Sequence, residues 1–168
     1  MLGMKSQGVK LILLTALTVG TMPIAAAEPV KFSAVVDQKE AVRLDFADPS
    51  KKFLLLVRRD GKSEGLGPLA GATVREYGAH DIVPGVGGEA RGYLEFVKSD
   101  GDKAYIQWEL QAVFVPGADG KPKLLPNGVW RVVSATGKLE KLRGAGALHL
   151  TAMGPTERRF SLEGELVQ

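Results

Sequence analysis

From residue 28 onward, apolar residues recur at every second position and nowhere sustain the three-and-four spacing of an amphipathic helix. A period of two marks strands with one face buried. Here the runs are short and are separated by Gly, Pro and Asp turn signals, the pattern of an antiparallel barrel or sandwich. The most ordered stretch runs from Gly128 to Leu150. In it Trp130, Val132 and Ser134 alternate with Arg131 and Val133. Gly137 follows Thr136 where the chain must turn, and glycine takes positive φ without a Cβ clash. Lys138 to Arg143 is too short for an independent helix, but Leu139 and Leu142, three apart, can both point inward from one helical turn. Gly144 and Gly146 flank Ala145 and permit a close backbone approach or a sharp bend. Leu148 and Leu150 resume the alternation.

The remaining segments follow the same rule. Val30, Phe32, Ala34 and Val36 share one face of a first strand, and Val42, Leu44 and Phe46 share one face of a second. Phe53 to Val57 is apolar on both faces and reads as a fully buried strand. Asp60-Gly61 reads as a turn, residues 61 to 71 as irregular, Ala72 to Tyr77 as a strand, and Gly78 to Ala90 as a long Gly-rich loop. Gly92, Leu94 and Phe96 are joined through Asp100-Gly101 to Ala104, Ile106, Trp108 and Leu110, a strand that continues towards Val115. Pro116 to Asn127 reads as a polar loop, and Arg158 to Val167 closes the chain with Phe160, Leu162 and Leu166 on one face. Eight or nine strands joined by hairpins predict an all-β fold, an antiparallel up-and-down barrel of about eight strands. That number closes around a packed interior or one small ligand.

The first 27 residues stand apart. Lys5 and Lys10 form a positive region, Leu11 to Val19 an apolar core, and Ala25-Ala26-Ala27 a small-residue cleavage site. That is the plan of a secretory signal peptide, and the apolar run falls short of the roughly 20 residues of a membrane span. Removing 27 of 168 residues leaves 141, expected to form one barrel domain, residues 28–168, exported to the periplasm or beyond with no membrane span. Of 22 basic residues 2 leave with the signal, so 20 stand against 19 acidic ones, a net charge of +1. The charges are interspersed, without the basic stripe of a nucleic-acid binder. There is no cysteine, so stability must come from the core, as suits a barrel with no open sheet edge.

The stretch around Trp130, Thr136-Gly137-Lys138, Leu142, Gly144 and Gly146 resembles the allene oxide cyclase barrel superfamily, which includes the dirigent proteins. Members end a strand in a Gly-Thr-Gly turn, follow it with a basic-aromatic segment, then a Gly-x-Gly and another strand. This chain departs at Ala135, where Gly is common, and at Leu139 and Lys141, which replace an aromatic residue and a Gly. The resemblance implies an eight-stranded calycin-like barrel with an apolar cavity, assembled in many members as a homotrimer. No catalytic residue of the family transfers onto this sequence.

His80-Asp81 is the polar pair with most chemical potential, since His serves as acid or base near neutral pH and loops at a barrel mouth carry function. Glu76 and Tyr77 just upstream would join such a site. The plainer reading is that the pair caps a turn. Trp108, Trp130, Phe96, Phe160 and Tyr77 are the aromatic residues expected to line a ligand cavity, with core packing as the alternative for each. Arg58-Arg59 reads as a solvated local pair. Two histidines and no thiol make a poor zinc site, and no nucleotide loop or cofactor motif is present. Three functions fit such a chain. The first is an exported barrel binding an apolar or amphipathic small molecule. The second is a cyclase or isomerase that works by the shape of its cavity, and the third a structural envelope protein with a filled barrel. The lack of a catalytic constellation favours the first. If the leader reading is right, N-terminal sequencing of the exported protein starts at or near Glu28; a mature protein starting at Met1 defeats it.

Overall fold

In a computed structural model, residues 27–168 are described; the expected signal peptide, apart from Ala27, lies outside them. Eight strands form one closed barrel in chain order. They are β1 (Glu28–Asp45), β2 (Phe53–Gly65), β3 (Thr73–Val83), β4 (Gly87–Val97), β5 (Lys103–Pro116), β6 (Pro122–Ala135), β7 (Arg143–Ala152) and β8 (Glu157–Val167). All neighbours are antiparallel, and β8 returns to β1 from Glu28↔Leu166 to Asp37↔Glu157. This is the up-and-down barrel that the alternation predicts.

Several local expectations are corrected. The first two expected strands are one, β1, bulged between Gln38 and Glu40. One extra residue moves every later side chain to the opposite face. Phe32, Ala34 and Val36 therefore point into the barrel, while Val42 beyond the bulge is 69% exposed. Phe53 to Val57 is not buried on both faces. Leu54 and Leu56 lie outside, opposite Leu44 and Val42, and Leu56 is exposed. Asp60-Gly61 is no turn but mid-strand, with Gly61 directly opposite Val36; a Cβ there would run into the Val35 carbonyl. The expected Gly-rich loop from Gly78 to Ala90 is the β3–β4 hairpin, in register from Gly78↔Gly92 to Val83↔Gly87. Its glycines interrupt the apolar pattern without interrupting the hydrogen bonding. The expected loop from Pro116 to Asn127 likewise holds the first half of β6. The Asp100-Gly101 hairpin and the closing strand are where the sequence puts them.

One cross-strand row explains how the barrel is filled. It passes from Val57 to Gly78, Gly92, Trp108, Trp130, Gly146 and Gly164. Two adjacent tryptophans are thus flanked on each side by two glycines, whose missing side chains leave the bore to the indoles. A Cβ on Gly92 would lie 2.9 Å from Trp108 Cζ2. The row leaves β1 at Ala41 and comes back to it at Val30, the offset that tilted strands need in order to close. Around the indoles, Phe32 meets Trp130 edge-on at 5.8 Å and Phe160 meets Trp108 at 5.3 Å.

The end of the barrel carrying the β2–β3, β4–β5 and β6–β7 connections is plugged. Leu69 and Ala72 come from the first of these and Leu139 and Leu142 from the last, and all four are buried in the core. A 3₁₀ turn at Gly137–Leu139 aims Leu139 inward. The turn is tied to the β4–β5 hairpin: Thr136 N–H donates to the Lys103 carbonyl at 2.8 Å, and Lys138 N–H to Asp102 Oδ2 at 2.9 Å. Gly137 has φ 58°, and a Cβ there would overlap the Asp102 carboxylate. Gly144, expected to need similar angles, does not take positive φ; it and Gly146 serve close approach, facing the Glu165 and Glu163 carbonyls. Gly137→Val is expected to lower stability by roughly 1–3 kcal/mol, the cost of a strained backbone position, read as a lower urea midpoint. An unchanged midpoint overturns this account of the turn.

Candidate functional site

The opposite end of the barrel, where the β1–β2, β3–β4, β5–β6 and β7–β8 hairpins turn, is open. A cavity of about 200 Å³ enters there. Its walls are apolar, with Phe53, Leu55, Ile82, Leu110, Leu124 and Leu150 among them. Three basic side chains, Arg59, His80 and Arg158, also line it. Each stands on the inward face of its strand because it is in phase with a core residue: Arg59 with Val57, His80 with Glu76 and Val74, and Arg158 with Phe160.

Arg59 and Glu76 are direct cross-strand neighbours. Arg59 Nη1 donates to both carboxylate oxygens, at 3.0 and 2.7 Å. Arg59 is 2% exposed and Glu76 0%. His80 follows Glu76 by four residues on the same face, with its Nε2 3.6 Å from Glu76 Oε1, beyond hydrogen-bond range. Gly78 between them lets the two converge, since a Cβ there would lie 2.6 Å from Glu76 Oε1 and 3.1 Å from His80 Nε2. Trp108 lies against His80, ring centroids 5.9 Å apart. Arg158 donates to the carbonyls of Gly154 and Glu157 at the rim, at 2.9 and 2.7 Å. Burial lowers its pKa, the charge of Arg59 lowers it further, and Glu76 opposes both.

Among the described residues three buried side-chain nitrogens have no hydrogen-bond partner: Arg59 Nε, His80 Nε2 and Trp108 Nε1. Buried polar groups are ordinarily paired, so two orphans on residues that line one cavity, Arg59 and His80, with a third on the Trp108 ring packed behind His80, mark it out from the rest of the interior. Trp130 makes the contrast, because its Nε1 donates to the Glu163 carbonyl at 3.2 Å.

The structure separates the residues singled out from the sequence. His80 lies at the cavity, on a strand rather than in a loop. Its neighbour Asp81 points outward and pairs with Lys52 at 3.0 Å, so the two do not form one site. Glu76 joins His80 as expected. Tyr77 is 46% exposed on the outer face and lines no interior cavity. Trp108, Trp130, Phe96 and Phe160 are packed core, and the Trp108 ring lies against His80 of the site. Arg59, read as solvated, is buried, and Arg158 was not singled out. The signal for both was available: in Arg58-Arg59 and Arg158-Arg159 one residue of each pair must fall on the inward face. Among the described residues no three His, Cys, Asp or Glu side chains converge to hold a metal.

No family model matches the chain, and no curated protein matches it. Solved structures do. A β-barrel-like protein from Acinetobacter baumannii AYE superposes with a TM-score of 0.53 at 13% identity, covering 86% of this chain and 98% of its own. A protein of unknown function from Clostridium acetobutylicum ATCC 824 gives a TM-score of 0.54 at 13% identity, covering 85% and 99%. The pterocarpan synthase dirigent protein GePTS1 gives 0.45 at 9% identity, covering 91% and 96%, too distant to bear on function. In fold the chain is similar to the two bacterial proteins.

The ion pair itself can be tested. Breaking a buried pair by removing one partner costs about 3–5 kcal/mol, whereas replacing both by apolar residues is often neutral. Glu76→Leu alone is expected to destabilise by that amount, and the double variant Arg59→Met/Glu76→Leu to recover most of it in urea denaturation. A double variant as unstable as the single one overturns the pairing.

Proposed function

We propose that this chain is an exported barrel that binds an apolar or amphipathic small molecule in its open mouth. The observation that carries the reading is the division of the interior. The plugged half is filled by Trp108, Trp130, Phe96 and Phe160, and the open half keeps an apolar-walled cavity over a polar floor. A concave apolar site with a few convergent polar groups is the usual form of a small-molecule site. The cavity lies below the about 300 Å³ at which pockets for drug-sized ligands begin, so its ligand is small. A purely structural barrel has no use for unpaired buried nitrogens on two residues, Arg59 and His80, that line a cavity.

One observation favours a second reading. Glu76 and His80, 3.6 Å apart beside a cavity, have the composition of a proton-transfer pair, which suits an isomerase acting on a bound molecule. Binding is common to both readings, and turnover separates them. The test is native mass spectrometry of the protein recovered from the exported fraction, followed by thermal unfolding with each released compound. A compound that binds only the folded state must raise the midpoint by mass action and should change the fluorescence of Trp108 beneath the floor. Chemical conversion of that compound, lost in His80→Gln, would favour the enzyme. A protein that carries nothing and is stabilised by no member of a broad panel of small apolar and amphipathic compounds defeats the binding proposal.

A further inference from the structure

We infer that the ligand of the mouth is a small organic carboxylate, seated with its charged head on the Arg59–His80 floor and its apolar body against the walls. This rests on the mouth being a binding site, and it names the chemistry that the site selects.

The charge of the floor comes first. The ionisable side chains facing the cavity are Arg59, His80 and Arg158, with Glu76 behind them. Both oxygens of Glu76 are engaged by Arg59. Two guanidiniums against one carboxylate leave positive charge in excess in a place with little water, where Coulomb interactions are stronger than at the surface. No second acidic side chain lines the cavity to offset it. A neutral ligand would leave this excess as it is, and a monoanion removes it.

Hydrogen bonding points the same way. Arg59 Nε can only donate, and it has no partner. Arg59 commits Nη1 to Glu76, while Nε and Nη2 bond no described residue. Those two nitrogens form one edge of the guanidinium fork, the edge that matches the two oxygens of a carboxylate. His80 Nε2 offers a further position nearby. The floor is therefore short of acceptors, and a carboxylate supplies two. Oxygen-rich inorganic anions share that head chemistry, but their hydration is lost against walls of Leu110, Leu124, Leu150 and Ile82. An apolar body of a few carbons gains where they lose. At about 200 Å³, below the range of drug-sized ligand sites, the mouth encloses a short acyl chain or a single ring.

The experiment is isothermal titration calorimetry of the purified protein with benzoate and hexanoate, their neutral counterparts benzamide and hexanamide, and inorganic phosphate. At least one carboxylate is expected to bind ten times or more tighter than its amide and than phosphate. Arg158→Gln, a substitution at the rim, is expected to weaken the carboxylate at least threefold while leaving the amide unchanged. Arg59→Met/Glu76→Leu, which removes the pair together, is expected to abolish the preference for carboxylate. Amides that bind as tightly as carboxylates overturn the inference and leave the mouth a binding site for neutral molecules. Phosphate as tight as benzoate overturns it in favour of an inorganic anion site. Carboxylates whose affinity is untouched by either variant place the ligand elsewhere and overturn it too. If neither carboxylates, amides nor phosphate bind, both this inference and the mouth as a binding site fall.

Discussion

The bore of an eight-stranded barrel is the constraint on which the rest of this structure depends. Eight strands enclose a space that side chains just fill, and whatever fills it decides where a ligand can go. Here two indoles from adjacent strands take the middle of the bore. They fit because Gly78 and Gly92 on one side, and Gly146 and Gly164 on the other, give up their side chains in the same row. The glycines are as much a part of the packing as the tryptophans. Below this layer Leu69, Leu139 and Leu142 seal one end. Above it the interior widens into the mouth.

The boundary between the filled half and the open half is polar, which is costly. Taking Arg59 and Glu76 out of water carries a desolvation penalty that their attraction only partly offsets, and apolar residues of similar size would do as well or better for stability. The pair is therefore weak evidence of a stabilising role and stronger evidence of another one. Outside the barrel the charges behave differently. Glu40, Arg58, Asp60, Arg75, Glu95 and Lys103 alternate in sign across five strands, mostly in contact with water, where each pair contributes little. The two sets of ion pairs use the same residue types, and only their position in the strand alternation sets them apart.

That alternation is also what made the fold legible. The period of two, the Asp100-Gly101 hairpin and the Gly128 to Leu150 stretch give eight or nine strands in an up-and-down order without any tertiary information. The inward pair Leu139 and Leu142 could be read from spacing alone. What could not be read was phase. The bulge at Lys39 changes which residues of β1 face inward, and nothing in Gln38-Lys39-Glu40 announces it. Gly61 looked like a turn and Gly78 like the start of a loop because local pattern cannot separate a glycine that bends the chain from one that makes room across it. The site suffered from the same ambiguity. His80 and Glu76 were visible as polar residues near a presumed mouth, but Arg59 looked like half of an exposed basic pair and Arg158 like no more than the start of the closing strand. Knowing that Val57 and Phe160 face inward would have placed both arginines in the interior.

The mouth owes its depth to strands that outrun their neighbours. β1 pairs with β8 only as far as Asp37, and β6 pairs with β7 only from Asn127 to Arg131. Past those points the β1–β2 and β5–β6 hairpins continue with a partner on one side only. They carry Phe53, Leu55, Leu124 and Pro126 to the cavity as opposed walls. A hairpin paired on one side is held by fewer hydrogen bonds than one inside a closed sheet, so local opening costs less there than in the barrel wall. The rigid part of the molecule thus holds the charged floor in fixed geometry, and the less constrained part forms the apolar sides. A ligand that enters between the hairpins meets first the part of the barrel that can yield and then the part that cannot. The indole layer closes the mouth at the depth where Arg59 and His80 hold their unpaired nitrogens.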